Sequence, residues 1–404
     1  MSSYPLLRLR RGRGYPLLNG HPWLFSGAFT SLPRDLAFGA VVDVATESGE
    51  WLARGHLNAD NTIAFRALTF DPDEAIDEDF YVRRIEAALA VRRLLPAQTN
   101  AYRLIHAEAD YLPGLIADRY DRWLVTQFHT AGVERQREAI LSALERALSA
   151  DGVLGILTRD DVKAREREGL LVGGAGVARG MAPDMIEIVE NGLRYTIDPL
   201  GGQKTGFFLD QREKRARVRE LAPEASSLLN LFAYSGGFAL AGLAGNPALA
   251  TVNVDSSAPA LDLARRNYIL NGFDPDDERH EFVDSDVTRY LQRAVANGRR
   301  FDIVVVDPPA FAKSLAQKDR ALRGYASLNA LATQALAPNG LLLTCSCSGA
   351  VNAAEFEEAV RQGLWRAGRR HARLVASFGP SVDHPTLPGF SEDRYLKALL
   401  LTVE

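Results

Sequence analysis

Phe301-Asp302-Ile303-Val304-Val305-Val306-Asp307-Pro308-Pro309-Ala310-Phe311 is the stretch from which the rest of the chain can be read. Its apolar, β-branched first half predicts a buried parallel strand over 301–306. That strand ends in a carboxylate and two prolines. Prolines fix φ and donate no hydrogen bond, so the chain must leave the sheet there in a stiff, extended turn. In open α/β sheets, ligands bind just outside the carboxyl ends of the strands. An isolated Asp-Pro-Pro is more often a plain structural turn, so the neighbouring sequence has to decide.

On both sides of it, apolar strand patterns alternate with helical ones from about residue 191, as a parallel sheet with crossover helices requires. Strands are expected at 228–232, 251–254, 281–283, 301–306 and 340–344, with helices at 237–245, 259–271, 287–297 and 325–335. Two late strands, 374–378 and 396–403, should pair as a hairpin. The expected result is a doubly wound sheet with an antiparallel addition at one edge. The apolar run 228–250 is interrupted by Asn230, Tyr234, Ser235, Asn246, Pro247 and glycines, so it reads as strand, glycine turn and buried helix rather than as a membrane span.

With 404 residues, the chain calls for two or three domains. Hydrophobic residues at 47% and charged residues at 24% fit a globular protein. Cys345 and Cys347 are its two cysteines, which leaves no disulfide framework and suits a reducing cytoplasm. Met1-Ser2-Ser3-Tyr4-Pro5 lacks the apolar core of a secretory signal. A formal charge of −4, from 51 acids and 47 bases, argues neither for nor against nucleic acid. No metal is expected.

Residues 1–70 read as a small β-barrel, with strand patterns at 7–10, 41–44 and 63–68 between Gly12, Gly14, Gly20, Gly27, Gly39, Gly49 and Gly55. Arg8, Arg10, Arg11 and Arg13 crowd its start, followed by Tyr15, His21 and Trp23. Such a run is usually a solvated face, but bases interleaved with aromatics also neutralise phosphates and stack on bases. Residues 71–190 read as an α+β domain, with a helix at 80–95, strands at 115–118, 123–128, 155–158 and 185–190, and no motif tied to chemistry.

The chemistry gathers at the strand ends of 191–404. Paired glycines after the first strand, in Asn230-Leu231-Phe232-Ala233-Tyr234-Ser235-Gly236-Gly237, let the backbone approach a bound nucleoside. The second strand ends at Asp255-Ser256, where a carboxylate can accept both hydroxyls of a ribose. Asp286, before Val287, could accept from an adenine amino group. Singly these acids are helix N-caps as readily as ligands. Asn230, Asp255, Asp286 and Asp307 on four consecutive strands would face one crevice and point to a nucleoside cofactor. The fifth strand runs into Thr344-Cys345-Ser346-Cys347-Ser348-Gly349. Cys345 fits inert packing, whereas Cys347 lies beyond the apolar run, where a thiolate can be reached.

These residues resemble the class I S-adenosylmethionine-dependent methyltransferases. More closely they resemble the large-subunit (23S) ribosomal RNA 5-methylcytosine methyltransferases with an N-terminal PUA domain. The resemblance covers nearly the whole chain. It is carried by Gly20-His21-Pro22-Trp23-Leu24-Phe25-Ser26-Gly27, Glu108-Ala109-Asp110-Tyr111-Leu112-Pro113-Gly114-Leu115 and Gly201-Gly202-Gln203-Lys204-Thr205-Gly206-Phe207-Phe208-Leu209-Asp210-Gln211-Arg212. Asp307-Pro308-Pro309-Ala310-Phe311-Ala312-Lys313-Ser314, Ser346-Cys347-Ser348-Gly349 and Asp383-His384-Pro385 complete it.

The resemblance implies S-adenosylmethionine as cofactor, held by Lys204, Thr205, Phe207, Asn230, Phe232, Tyr234, Gly236, Asp255, Ser256, Asp286, Val287 and Asp307. It implies Cys347 as nucleophile with Asp307 beside it, and Pro308, Pro309 and Phe311 against the base. Arg8, Arg10, Arg11 and Arg13 would meet the RNA. The implied partner is 23S ribosomal RNA or its precursor, in the cytoplasm and without a membrane; a homodimer is compatible with it. One departure stands out. Many relatives in the wider 5-methylcytosine group place a cysteine that assists product release directly after the two prolines, and here that residue is Ala310.

Two other readings stay open at this stage. The same fold could methylate a nitrogen, either guanine N7 or an exocyclic amine, although Ala310 separates the prolines from the aromatic Phe311. A non-catalytic RNA-binding ribosome-assembly factor could also retain the fold. A second basic patch, Arg366, Arg369, Arg370, His371 and Arg373, is either an added footprint or a solvated helix end.

Overall fold

The structure is a computed structural model describing residues 4–202 and 204–404; Met1, Ser2, Ser3 and Gln203 lie outside the described residues. The chain forms two compact units. The first comprises Met1–Ile188, Ile197–Leu209 and Val382–Asp393, and the second Val189–Thr196, Asp210–Ser381 and Arg394–Glu404. The two short excursions, 197–209 and 382–393, are not visible in the sequence boundaries drawn at 70 and 190.

In the first unit, Leu6–Arg8, Val41–Ala45, Trp51–Leu57, Ile63–Thr69 and Trp23–Phe25 form one sheet in that spatial order. Its two ends meet. Leu9 bridges Phe29, the Arg10 amide donates to Ala28 O at 2.8 Å, and the Thr30 amide donates to Arg8 O at 3.1 Å. These bonds draw the two ends of the sheet together, and Leu9, Leu24, Phe29, Val42, Val44 and Phe65 fill the inside. The strand Trp51–Leu57 escapes the sequence pattern because Gly55 looks like a turn. A Cβ there would lie 2.1 Å from Arg66 O, so the glycine instead marks a close backbone approach within the sheet.

A second five-stranded sheet of this unit runs Ala175–Gly180, Gly155–Arg159, Trp123–Phe128, Leu115–Tyr120, Ala101–His106. Ala101–His106 is hidden in the sequence by its charges, which the fold neutralises: Arg103 Nε donates to Asp118 Oδ1 at 2.8 Å on the neighbouring strand. Helix Glu78–Arg92 packs on this layer, its N-terminus capped by Asp77, which accepts from the Phe80 amide at 2.8 Å.

The second unit holds the doubly wound sheet. Its strands are β1 Ser227–Leu231, β2 Ala250–Asp255, β3 His280–Asp284, β4 Phe301–Val306, β5 Leu336–Ser346, β6 Ala372–Phe378 and β7 Lys397–Val403. The spatial order is β3-β2-β1-β4-β5-β7-β6. The first five are parallel, while β7 inserts antiparallel between β5 and β6 and pairs with β6 as the late hairpin requires. The helices are α1 Arg212–Leu221, α2 Gly237–Gly245, α3 Ala258–Leu270, α4 Val287–Ala296, α5 Lys318–Gln334 and α6 Ala353–Arg366. Leu229, Leu231, Val254, Val304, Val306 and Leu342 pack with Leu291, Tyr325 and Phe356 in the core.

β1 and β2 lie on one side of the point where the strand order reverses and β4 and β5 on the other, so a ligand crevice opens at the ends of β1 and β4. Leu228 to Ala250 forms strand, turn and helix as expected, and no helix among the described residues is long and apolar enough to cross a membrane. α5 begins at Lys318, earlier than its apolar periodicity indicates, because its first turns carry Lys318, Asp319, Arg320 and Arg323.

Candidate active site

The turn after β1 is held in an uncommon conformation. Phe232 has φ +58°, Tyr234 +45° and Gly236 +74°. Left-handed backbone at a non-glycine residue costs about 1–3 kcal/mol and persists where the surroundings enforce it. Here Asp255 at the end of β2 does so: its Oδ2 accepts from the Tyr234 amide at 2.9 Å, and its Oδ1 from the Ser257 amide at 3.0 Å. Gly236 then starts α2, and a Cβ on it would come within 3.0 Å of the Ala264 methyl in α3. Beneath the turn, Asn230 is buried and donates to Asn253 Oδ1 at 2.9 Å, which leaves its own Oδ1 buried without a partner among the described residues. Asp286 caps α4 by accepting from the Arg289 amide at 2.9 Å, Ser256 is exposed, and the Val287 side chain belongs to the core.

The second half of the crevice forms where β4 and β5 end side by side, with Val306 paired to Thr344. Asp307 is half-buried, and its Oδ1 accepts from Gln211 Nε2 at 2.8 Å. Cys347 is also half-buried, and its sulfur sits 3.8 Å from Pro308 O, against the Asp-Pro-Pro turn. Cys345 is fully buried; burial first, and then the Asp307 carboxylate, push its thiol pKa well up. Of the two thiols, Cys347 is the one that can be reached.

Two devices fix Cys347 against that turn. Tyr325 of α5 shares its hydroxyl with Ser346 Oγ at 2.9 Å and Ser348 Oγ at 2.8 Å, and the Ala312 amide donates to Ser348 Oγ at 3.1 Å. The same Tyr325 ring stacks on Phe311, with centroids 4.6 Å apart. Lys397 of β7 donates to Ser348 O at 2.7 Å, Val351 O at 2.6 Å and Tyr395 O at 2.7 Å, closing the loop that follows Cys347. Burial lowers the Lys397 pKa to about 8, against the opposing pull of Cys347 and Glu355. The roles of Gln211, Tyr325 and Lys397 are absent from the sequence reading. Lys397 alone left a signal, a lone cation opening an apolar strand.

Among known proteins, residues 172–368 match the S-adenosylmethionine-dependent methyltransferase family model, and residues 7–70 match a PUA-like domain. The ribosomal RNA large subunit methyltransferase I of Klebsiella pneumoniae (strain 342) is 39% identical over 404 residues, covering 100% of this chain and 99% of that protein. Its counterpart from Alteromonas mediterranea is 38% identical over 405 residues, covering 100% and 99%. This chain belongs to the ribosomal RNA large subunit methyltransferase I family. A solved structure described as a SAM-dependent methyltransferase from Streptococcus mutans shares the fold, with a TM-score of 0.83 at 22% identity over 99% of this chain and 100% of that one. A methyltransferase solved with S-adenosylhomocysteine gives 0.84 at 21%, covering 99% and 100%.

Membership in the family makes S-adenosylmethionine the cofactor, and the first half of the crevice fits it. A side chain at Gly236 would crowd Ala264 and meet a left-handed backbone, Asp255 is a carboxylate aimed by two amides, and Asn230 Oδ1 is a buried acceptor in want of a donor. The cofactor brings hydroxyl and amino donors to such acceptors. Among the described residues, no three His, Cys, Asp or Glu side chains converge as a metal set.

In the family's PUA-like domain, the clustered Arg8, Arg10, Arg11 and Arg13 are exposed. Arg8 donates to Glu47 O at 3.0 Å and Arg10 to Phe29 O at 2.8 Å, whereas Arg11 and Arg13 have no ion pair among the described residues. Arg13, Tyr15 and Phe25 line a cavity of about 360 Å³, and Arg10, Arg11, Tyr15 and Leu18 one of about 440 Å³. Tyr15 and Phe25 are exposed, but His21 and Trp23 are taken up by packing on Phe390, and Trp23 Nε1 donates to Glu108 at 2.9 Å.

Lys204, Thr205 and Phe207 also belong to the first unit. Lys204 has φ +53° and lies over the Phe208 ring, Phe207 is buried, and Thr205 donates to Asp118 Oδ2 at 2.5 Å while Tyr120 is 2.9 Å away. The Asp383-His384-Pro385 motif is an anchor in this unit: Asp383 accepts from the Arg103 amide at 2.9 Å and pairs with His384 at 3.0 Å.

Proposed function

We propose that this chain methylates carbon 5 of a cytosine in large-subunit (23S) ribosomal RNA, through a transient covalent bond between Cys347 and the base. The observation that carries the reading is the 3.8 Å contact of the Cys347 sulfur with Pro308 O, which sets an accessible thiol against the turn bearing Asp307. The relatives' names, which specify large-subunit ribosomal RNA, support the substrate class. Within the same proposal, residues 1–70 are an RNA-binding domain using Arg8, Arg10, Arg11 and Arg13, residues 71–190 a central domain, and residues 191–404 the methyltransferase domain.

Carbon 5 of cytosine is too electron-poor to react unaided. The Cys347 thiolate adds to carbon 6, and the π electrons move so that carbon 5 becomes the nucleophile. Asp307, held by Gln211, faces ring nitrogen 3 and stabilises the proton or charge that arrives there. Pro308, Pro309 and Phe311 hold the ring. Asn230, Phe232, Tyr234, Gly236, Asp255, Ser256, Asp286 and Val287, with Lys204, Thr205 and Phe207, would hold S-adenosylmethionine, which would supply an electrophilic methyl group to carbon 5 and leave as S-adenosylhomocysteine. The carbon 5 proton then leaves, its electron pair restores the 5,6 double bond, and the sulfur departs as thiolate. Ala310 has no proton acceptor, so another base or a water takes that proton. Before any of this the target base must leave its stack, at a cost of a few kcal/mol in a duplex and less in a loop.

Mass spectrometry of nucleosides from large-subunit RNA incubated with the protein and cofactor tests the reading. New 5-methylcytidine is expected. A methylated guanosine or an N-methylated base in its place would overturn it.

A further inference from the structure

A cavity of about 410 Å³ opens next to the Asp-Pro-Pro turn, lined by Ala310, Phe311, Lys313, Gln317, Arg320 and Ala321. Ala310 directly follows Pro309 and is two residues from Pro308, whose carbonyl touches Cys347. Two residues of chain span about 7 Å at most. The cavity therefore begins within one nucleotide's reach of the reacting thiol.

Its lining is fixed and positively charged. Phe311 is stacked on Tyr325, and α5 comes close because residue 324 is glycine: a Cβ there would sit 3.1 Å from Phe311 Cδ2. Gln317 Oε1 accepts from the Lys313 amide at 2.8 Å, which pins the loop that presents Lys313. Lys313 and Arg320 are exposed and have no ion pair among the described residues, nor has Arg323 one turn further along α5. The neighbouring Lys318, by contrast, is neutralised by Glu355. Two unpaired cations beside an aromatic ring, in a hollow of ligand size, match a phosphodiester with its base.

We propose that this cavity holds the nucleotide adjacent to the target base, with its phosphate on Lys313 and Arg320 and its base against Phe311. The assignment rests on Cys347 and Asp307 receiving the target base, and it adds a subsite for the RNA strand that runs past them. Recognition there is by backbone and ring, so it is indifferent to which base occupies the subsite.

The test uses the full chain and a single-stranded large-subunit RNA fragment, comparing wild type with Lys313→Gln, Arg320→Gln and the double variant. The double variant is expected to raise KM for RNA about ten-fold, with kcat within about two-fold. Its log–log dependence of affinity on salt should become shallower by about 0.7 for each phosphate no longer neutralised. The charge-keeping Lys313→Arg should leave both near their wild-type values. An unchanged KM and salt slope in the double variant, or a fall in kcat at constant KM, would overturn the subsite. Failure of the underlying reaction registers elsewhere: Cys347→Ala would then still methylate, whatever the glutamine variants do to RNA affinity.

Discussion

Cys345 and Cys347 differ by two positions on one strand, yet only one has the surroundings of a nucleophile. Replacing Cys347 with alanine is expected to lower methylation by a factor on the order of a thousand or more while leaving cofactor affinity within about two-fold. Cys345→Ala should keep most of the activity, because that thiol is fully buried and held protonated. Radiolabel transfer to RNA and calorimetry of cofactor binding measure the two quantities. Asp255→Ala should do the opposite, weakening cofactor binding roughly ten- to hundred-fold, since a charged acceptor and the clamp on Tyr234 go together. Both cysteines and the acids at the strand ends are legible in the sequence because strand ends are marked by composition. Gln211 is not: its contact with Asp307 spans 96 residues of chain, and nothing local in Leu209-Asp210-Gln211-Arg212 announces it.

At the scale of elements, α5 is the part that holds the Asp-Pro-Pro turn and the Cys347 strand in one geometry. Tyr325→Phe keeps the stacking on Phe311 but removes the hydroxyl between Ser346 and Ser348. It should cost about 1–2 kcal/mol in urea unfolding and slow turnover more than it changes KM. A separate prediction concerns the short 3-10 turn Ser391–Asp393 in the first unit. Burial, with Glu108, Glu392 and Asp110 adding to it, raises Asp393 to about 8. The folded chain then keeps a proton that the unfolded chain loses near pH 4. The stability this contributes is full below the unfolded value and is lost as pH rises through about 8. Asp393→Asn should therefore melt above wild type at about pH 9, with the gap narrowing toward about pH 5.

Elements with apolar periodicity, such as β1, β2, β4 and α4, can be read from sequence. α1 cannot, because Arg212, Lys214 and Arg215 are buried and Arg215 is paired with Glu190, so its inward face is charged. α6 is announced instead by its capping box, Asn352 with Glu355, which the apolar pattern alone passes over.

At the scale of the molecule, the sequence is most informative where one motif implies a whole layer, as the strand ending in Asp307 implies the parallel sheet. It is least informative where the chain leaves a unit and returns. Residues 382–393 group with the first unit although they lie between β6 and β7, because Asp383 is bound by Arg103, 280 residues earlier. The central claim is a sulfur bond to the target base, and it can be trapped. Large-subunit RNA made with 5-fluorocytidine carries fluorine where the departing proton should be, so methylation would leave the base attached to the enzyme. Peptide mapping of the covalent product by mass spectrometry should find the RNA on Cys347. Methyl transfer to such RNA without any adduct, or an adduct on another residue, would contradict the account.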